Sequence, residues 1–408
     1  MKFGKLKTLI AALSATGAVA LAPGAFAQDD IKIGGLYILS GSAASYGEFA
    51  SQGMQLAIDE INEAGGVDGK PLKLLMEDTQ GKAATGIQAA RKLVYQDDVS
   101  VLVGLDSSGV ALGLVPVLEE LETPLIITHA ATPHATGKLC NEYTFRISVN
   151  ENQNMRAAAE LAAKSGAKRW TTIGPDYAFG HESWELFSEY LQEIDPDVEI
   201  MTDVAFPRFG AEDFTPFINN IMEHNPDGIL ISVWGGDMVN FVRQANNLGF
   251  FDKGYEILFT VGAATEVLSA LGEQMPEGVW VGTRYWYDSH DNDRNKKFIN
   301  DYRERYGTVP SYNAEGAYSA VYAIKDAVEK AGSADPKDIA AALVGMTVET
   351  PAGPRTFRPG DNQALIGPTW GLTAEMNTED GIRSLTDVHD FDGESVSLPL
   401  ERTECKPE

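Results

Sequence analysis

Two serines carry the first chemical clue. Ser107 and Ser108 stand in LVGLDSSGVALGLVPVLEELETPLIITHAA, residues 102–131, where a buried apolar run gives way to a helical pattern. The first amides of a helix have no internal partner, and the helix dipole favours negative charge there. In an open α/β sheet such a turn also lies beyond the carboxyl ends of the strands, where ligands sit. The chemistry this predicts is the gripping of a small carboxylate, while a plain helix cap remains the blander use of the same serines. Aromatic residues recur beside predicted strand ends and turns: Tyr46, Tyr177, Phe179, Trp234, Tyr285, Trp286 and Tyr287. Gathered in one cleft they would close over an apolar or ring-bearing ligand; singly, each would serve equally in a core.

Bond-making chemistry finds little support. GGVDGKP at residues 65–71 has three residues between Gly and Gly-Lys and then a proline, where a phosphate loop needs four and then Ser or Thr. Neither a GxSxG elbow nor a GxGxxG fingerprint occurs. His129 and His134 have no third clustered metal ligand. No acidic pair is marked as general acid and base. The expectation is a binding protein with no catalytic residue, cofactor or metal; an exported hydrolase would need a nucleophile–base pair that is not found.

Positioning the serines and aromatics takes a regular alternation of elements. Residues 31–37 predict a strand, 41–45 a small-residue loop, and 46–62 a helix with Ala50, Met54, Ala57, Ile58 and Ile61 on one stripe. Gly65 and Gly66 stop it, and strand 71–77, helix 85–96 and strand 99–104 follow. The helix after Ser108 is expected to run through Val110, Leu114, Val115, Leu118 and Leu121 to a strand at 124–128. Past residue 150 the rhythm restarts: helices 152–165, 181–192, 214–224 and 238–247 alternate with strands 169–174, 198–206, 228–233 and 256–261. A strand at 278–283 and two long helices, 294–306 and 312–330, precede a tail read as short strands and turns from residue 347. This order implies an α/β fold of parallel sheets with helices on both faces, and the second series a second lobe.

The 408 residues suffice for two domains. Lys2, Lys5 and Lys7 precede an apolar run at 9–21 and Ala25-Phe26-Ala27, the pattern of a cleaved signal peptide covering residues 1–27. That run is too short to span a bilayer, so a soluble exported protein is expected, periplasmic in a double-membraned bacterium. The net charge of −27 opposes nucleic acid and anionic lipid as partners. Cys140 and Cys405 suit an oxidising compartment; joined, they would tie the tail to the end of the first half-chain, and the alternative is two free thiols. Their spacing fits no CxxC motif.

IGGLYILSGSAASYGEFASQGMQLAIDEINEAGGVDGKPLKLLMEDT at 33–79, VGLDSSGVALG at 103–113, PLIITHAAT at 124–132, IGPDYAFG at 173–180 and PDGILISVWGGDMVNFVRQANNLGF at 226–250 carry a family resemblance. The chain resembles the type I periplasmic solute-binding proteins of ABC importers, in the branched-chain amino acid-binding group. The resemblance implies a venus flytrap of two doubly wound lobes joined by three crossovers, near residues 146–150, 283–287 and 353–358. The lobes would be residues 28–148 with 283–353, and 149–282 with 354–408. It implies a monomer that closes on one small carboxylate-bearing ligand and delivers it to an inner-membrane permease, or a sensor of the same fold feeding a receptor. Onto the family's ligand positions fall Tyr46, Ser107 or Ser108, Ala130, Thr132, Phe179, Trp234 and Gly235, with Tyr177, Gly262 and Tyr285 as further candidates. Where amino-acid-binding members place an acid to pair the ligand's ammonium, this chain has Gly262-Ala263-Ala264. An α-amino acid would then need Asp106, Asp176, Asp237 or Glu315 instead, and an aromatic or other organic acid fits at least as well. Arg284, at the second crossover, reads either as a carboxylate partner or as a solvated hinge charge.

Overall fold

The computed structural model describes residues 1, 2, 4 and 30–406, so the expected signal segment lies almost wholly outside the described residues. Among the described residues no helix is long and apolar enough to cross a membrane.

The first series is β1 (Ile31–Tyr37), α1 (Ala44–Glu63), β2 (Leu72–Asp78), α2 (Ala83–Tyr95), β3 (Val101–Gly104), α3 (Ser108–Leu114), α4 (Leu118–Leu121), β4 (Leu125–Ile127) and β5 (Thr144–Arg146). Its strands form one parallel sheet in the order β2-β1-β3-β4-β5. Val101, Leu102, Val103, Leu125, Ile126 and Ile127 are fully buried, because a parallel strand covered by helices on both faces tolerates no polar side. The second series is α5 (Glu151–Ser165), β6 (Arg169–Ile173), α6 (Ala178–Ile194), β7 (Glu199–Ile200), α7 (Thr215–His224), β8 (Gly228–Ile231), α8 (Gly235–Asn247), β9 (Glu256–Phe259), α9 (Thr265–Leu271) and β10 (Trp280–Thr283). The chain then returns to the first lobe with α10 (Asp293–Tyr306), α11 (Tyr312–Ala331), α12 (Pro336–Leu343) and the hairpin β11 (Thr347–Thr350) and β12 (Gly353–Thr356). It ends on the second lobe with β13 (Thr369–Asn377), β14 (Ile382–Asp390) and α13 (Gly393–Val396). The second sheet runs β14-β13-β10-β9-β8-β6-β7 and is parallel except for the β13–β14 hairpin at its edge.

The structure departs from the sequence reading in four places. The helix expected from Ser108 to Leu121 breaks into α3, a 3-10 turn at Val115–Val117 and α4, because Pro116 has no N–H to give and its ring crowds the preceding turn. The strand expected over 198–206 shrinks to the two residues of β7 and one bridge from Ala205 to Ile173, with Thr202 and Asp203 exposed at the sheet edge. The tail holds two nine-residue strands in place of short ones. The fourth departure is of helices without a counterpart in the reading: α9, and α12, although Asp335 caps α12 and Pro336 opens it.

Three passages of the chain, residues 147–150, 284–292 and 357–368, join elements of one series to those of the other; the third falls later than the expected 353–358 because Gly353–Thr356 is paired with β11. The first passage ends in a capping box, where Asn150 accepts from the Gln153 amide and Gln153 from the Asn150 amide. Buried Arg146 donates to the Thr132 carbonyl at 2.7 Å and to Gln363 Oε1 at 3.1 Å; Gln363 in turn donates to the Ser148 carbonyl at 2.8 Å. These bonds pin the first passage to the third. A disulfide joins Cys140, in the first lobe, to Cys405 in the tail, with Cα atoms 5.5 Å apart.

One close approach organises the first lobe. A Cβ on Gly53 of α1 would stand 2.1 Å from the Ala314 carbonyl oxygen of α11, so only glycine lets these helices meet. Gly53→Ala is expected to push them apart and destabilise the protein by roughly 1–3 kcal/mol. Chemical denaturation reads this, and an unmoved midpoint would contradict it.

Candidate functional site

Between the lobes lies a tightly closed cavity of about 20 Å³, well below the size of ligand pockets, so a ligand enters only when the lobes or the wall side chains move apart. The first lobe contributes Tyr46 from the first turns of α1, Asp106 and Ser108 from the turn after β3, His129 and Ala131 from the loop after β4, and Tyr312 from the start of α11. The second lobe contributes Tyr177 and Phe179 at the start of α6, Trp234 just before α8, and Val261 after β9; Arg284 enters from the second passage. Most of these residues sit at the carboxyl ends of parallel strands, where helix starts and loops leave side chains free to converge.

The aromatic walls touch across the lobes. The ring of Tyr46 lies 5.0 Å from that of Trp234 and 6.0 Å from that of Tyr312. Trp234 stacks on Phe209 at 4.9 Å and donates through Nε1 to the Tyr177 hydroxyl at 3.0 Å. The Tyr46 hydroxyl is buried without a partner, and burial holds its pKa far above the ordinary range, so it is a neutral phenol.

The charges are the informative part. Arg284 is 8% exposed, its Nε has no partner, and among the described residues no carboxylate pairs with it; its guanidinium lies 5.2 Å from the Tyr312 ring centre. Asp106 accepts from the Ile38 amide at 2.6 Å through Oδ2, while Oδ1 has no hydrogen bond. His129 is within 3.4 Å of that oxygen, but its Nε2 faces the Asn313 carbonyl at 3.2 Å, and a carbonyl only accepts, so Nε2 carries the proton. Burial lowers the His129 pKa and keeps the ring neutral. The cavity therefore offers one unpaired cation, one bare carboxylate oxygen and one bare phenol.

The sequence candidates divide by placement. Tyr46, Ser108, Tyr177, Phe179 and Trp234 meet at the cavity wall. Ser107 lies behind it as the residue before α3, and Ser108 Oγ accepts from the Thr132 amide at 3.2 Å. Ala130 is fully buried, its amide donating to the Leu105 carbonyl. The Thr132 hydroxyl is turned to Glu182 of α6 at 2.9 Å. Gly235 opens α8 against Ala43 of the first lobe, and its neighbour Gly236 donates to the Ser42 carbonyl at 3.0 Å. Gly262 packs against Phe259 and Val281 in the second lobe. Tyr285 faces away: its hydroxyl donates to Asn295 Oδ1 at 2.5 Å and its ring stacks on His290. Of the acids named as substitutes for the family's acid, Asp106 is at the wall, Asp176 is exposed and bonded to His181, Asp237 accepts from the Gly210 amide, and Glu315 is paired with Arg355. His129 and Tyr312 were not among the site candidates. His129 had been weighed only as a metal ligand, and among the described residues no cluster of three or more metal-binding side chains occurs.

A larger cavity of about 470 Å³ lies under the tail. Several of its polar groups are already paired, Tyr190 with Asn152 and Arg358 with Asp361, and the buried bare oxygen on its wall, Glu182 Oε2, is an acceptor that does not suit a carboxylate ligand.

The match to the periplasmic binding protein family model spans residues 30–378, and the chain belongs to that family. A curated relative, Leu/Ile/Val-binding protein homolog 6 of Brucella melitensis, is 26% identical over 356 residues, covering 85% of this chain and 88% of that one. Among solved structures, a solute-binding protein of an ABC transporter from Rhodopseudomonas palustris BisB5, in complex with 3,4-dihydroxybenzoic acid, is 25% identical with a TM-score of 0.81, covering 90% of this chain and 98% of that one. An amino acid ABC transporter substrate-binding protein from Pseudomonas fluorescens is 26% identical with a TM-score of 0.80, covering 93% of this chain and all of that one. The α/β architecture is that of the type I periplasmic binding proteins.

Proposed function

We propose that this chain is the capture component of an importer, closing its two lobes on a small organic carboxylate in the interlobe cavity and handing it to a membrane permease. The observation that carries this reading is the Arg284 guanidinium, buried at the cavity wall without a counter-ion. A buried cation is costly unless paired, and an anionic ligand supplies the pair when it binds. Ser108, on the same wall, offers a hydroxyl to the carboxylate. The bare Asp106 Oδ1 and Tyr46 hydroxyl suit a hydrogen-bond donor at the ligand's other end, and the aromatic walls suit a ring.

The dihydroxybenzoate held by the Rhodopseudomonas protein has this combination of groups. An amino acid, as the name of the Pseudomonas protein suggests, would set its ammonium against Asp106. Closure is a population shift: the ligand touches both lobes only when they are together, and so favours that state. The protein acts as an exported monomer without turnover, its lobes dividing near the three passages.

Titration calorimetry with 3,4-dihydroxybenzoate, benzoate and leucine tests the reading. At least one is expected to bind, and Ser108→Ala is expected to weaken that binding about tenfold or more, the usual worth of a hydrogen bond to a charged group. No heat from any of them, or unaltered affinity in Ser108→Ala, would remove the carboxylate cradle.

A further inference from the structure

The lobes meet through hydrogen bonds as well as packing, and two of those bonds end on carboxylates. From the first lobe, the Thr132 hydroxyl donates to Glu182 Oε1 of α6 at 2.9 Å, and Asn313 Nδ2 of α11 donates to Glu266 Oε1 of α9. In both carboxylates Oε2 is buried with no partner at all. Their donors belong to the opposite lobe, so parting the lobes removes the bond and returns each carboxylate to water. Glu266 is enclosed in the seam, while Glu182 also borders the cavity under the tail; in both places a charged carboxylate with one buried, bare oxygen is accommodated less well than a protonated one.

We propose that Glu182 and Glu266 are proton-dependent latches, taking up protons as the cleft closes, so that mildly acidic conditions favour the closed, ligand-holding form and alkaline ones the open form. The proposal rests on the two-lobe binding reading and concerns how that site is regulated. Neither glutamate lines the ligand cavity, so both are positioning residues.

The surroundings of each latch fix the sign. Facing Glu182 are Arg146 at the end of β5, Glu151 of α5, Glu185 on its own helix, Lys138, and His134, whose Nε2 lies 3.7 Å away. Around Glu266 stand Ser311 and Asn313, Asp106, and the phenols of Tyr46, Tyr302 and Tyr312. Burial outweighs the favourable partners in both, pushing each from 4.5 up to about 7. A carboxyl group raised on closing stabilises the closed state below that value, and the stabilisation is lost as pH rises through it. His129 and His134 are shifted downward by burial and oppose the effect by at most about twofold each at pH 6.5, where an exposed imidazole is half protonated, and by less above it.

Between pH 8.5 and 6.5 the closing equilibrium is expected to gain about fourfold for each carboxylate, and affinity with it. Small-angle scattering of the ligand-free protein reads this without any ligand: the wild type is expected to contract as pH falls from 8.5 to 6.5. The Glu182→Gln/Glu266→Gln double variant, with neutral amides at both latches, is expected to hold one size at both values. An unchanged wild-type size, or a double variant that keeps the wild-type response, overturns the proposal. Should the double variant not fold, each single Gln variant is expected to lose about half the shift, and retention of the whole shift in both overturns it equally. Benzoate, which does not titrate in this window, gives an independent readout by calorimetry: tighter binding and net proton uptake at the lower pH support the latches. Benzoate binding with pH-independent affinity counts against them, whereas failure to bind at either pH bears on the ligand reading alone and leaves scattering to decide.

Discussion

Arg284→Met is expected to abolish ligand binding while leaving the empty protein as stable as before, or more so. Methionine keeps much of the side chain's bulk at the wall and removes the charge. In the empty protein no carboxylate forms an ion pair with Arg284 among the described residues, so removing its charge strands no bonded partner. With a carboxylate in the cleft the balance reverses, because the anion in the variant is left buried and unmatched. Removing one partner of such a pair costs about 3–5 kcal/mol, a loss of more than a hundredfold in affinity. Calorimetry with whichever of 3,4-dihydroxybenzoate, benzoate and leucine binds the wild type gives the first half, and a ligand-free thermal melt gives the second. A variant that binds normally would return Arg284 to the role of a hinge charge. A variant that melts well below the wild type would mean that the guanidinium holds the fold together.

The second large effect concerns stability. Glu315 and Arg355 form an ion pair at 2.7 Å with side chains 2% and 3% exposed, and Arg355 also donates to the Ile147 carbonyl in the first passage at 3.2 Å. Glu315→Ala leaves that guanidinium buried with no opposite charge, and the expected loss is about 3–5 kcal/mol. Replacing both partners, Glu315→Leu with Arg355→Met, is expected to recover most of it, since neither charge is then stranded. Urea denaturation of the wild type, Glu315→Leu, Arg355→Met and their combination measures the coupling. Equal destabilisation by the single and the double replacement would mean that side-chain packing, and not the charge pair, sets the loss.

The alternation of strands and helices was legible because each buried parallel strand is an unbroken apolar run, as at Val101–Val103, and each covering helix carries one apolar stripe, as with Ala50, Met54, Ala57 and Ile58. Legibility failed where local pattern and outcome part. Pro116 was visible in the sequence but outweighed there by the apolar spacing around it. The β13–β14 hairpin half-faces solvent, so its apolar content is diluted. For the cleft, residues at helix starts were found by type and place, among them Tyr46, Ser108 and Trp234. What the sequence cannot state is pairing. Asp106, Glu315 and Arg284 were equivalent charges on paper, and only the fold gives Glu315 a partner while leaving Arg284 without one. Glu266 left no signal at all, as a glutamate in the first turn of a short helix is ordinarily solvated.

The Cys140–Cys405 bond gives the lobes a fourth, covalent connection beside the three passages of the chain. The tail reaches it from α13, held on the way by Arg358, which donates to the Leu398 carbonyl at 2.8 Å. Any swing of the second lobe must keep that edge together, as a book opens without parting at the spine. The lobes also meet where the Gly236 amide donates to the Ser42 carbonyl, a single hydrogen bond that yields far more readily than the covalent tether.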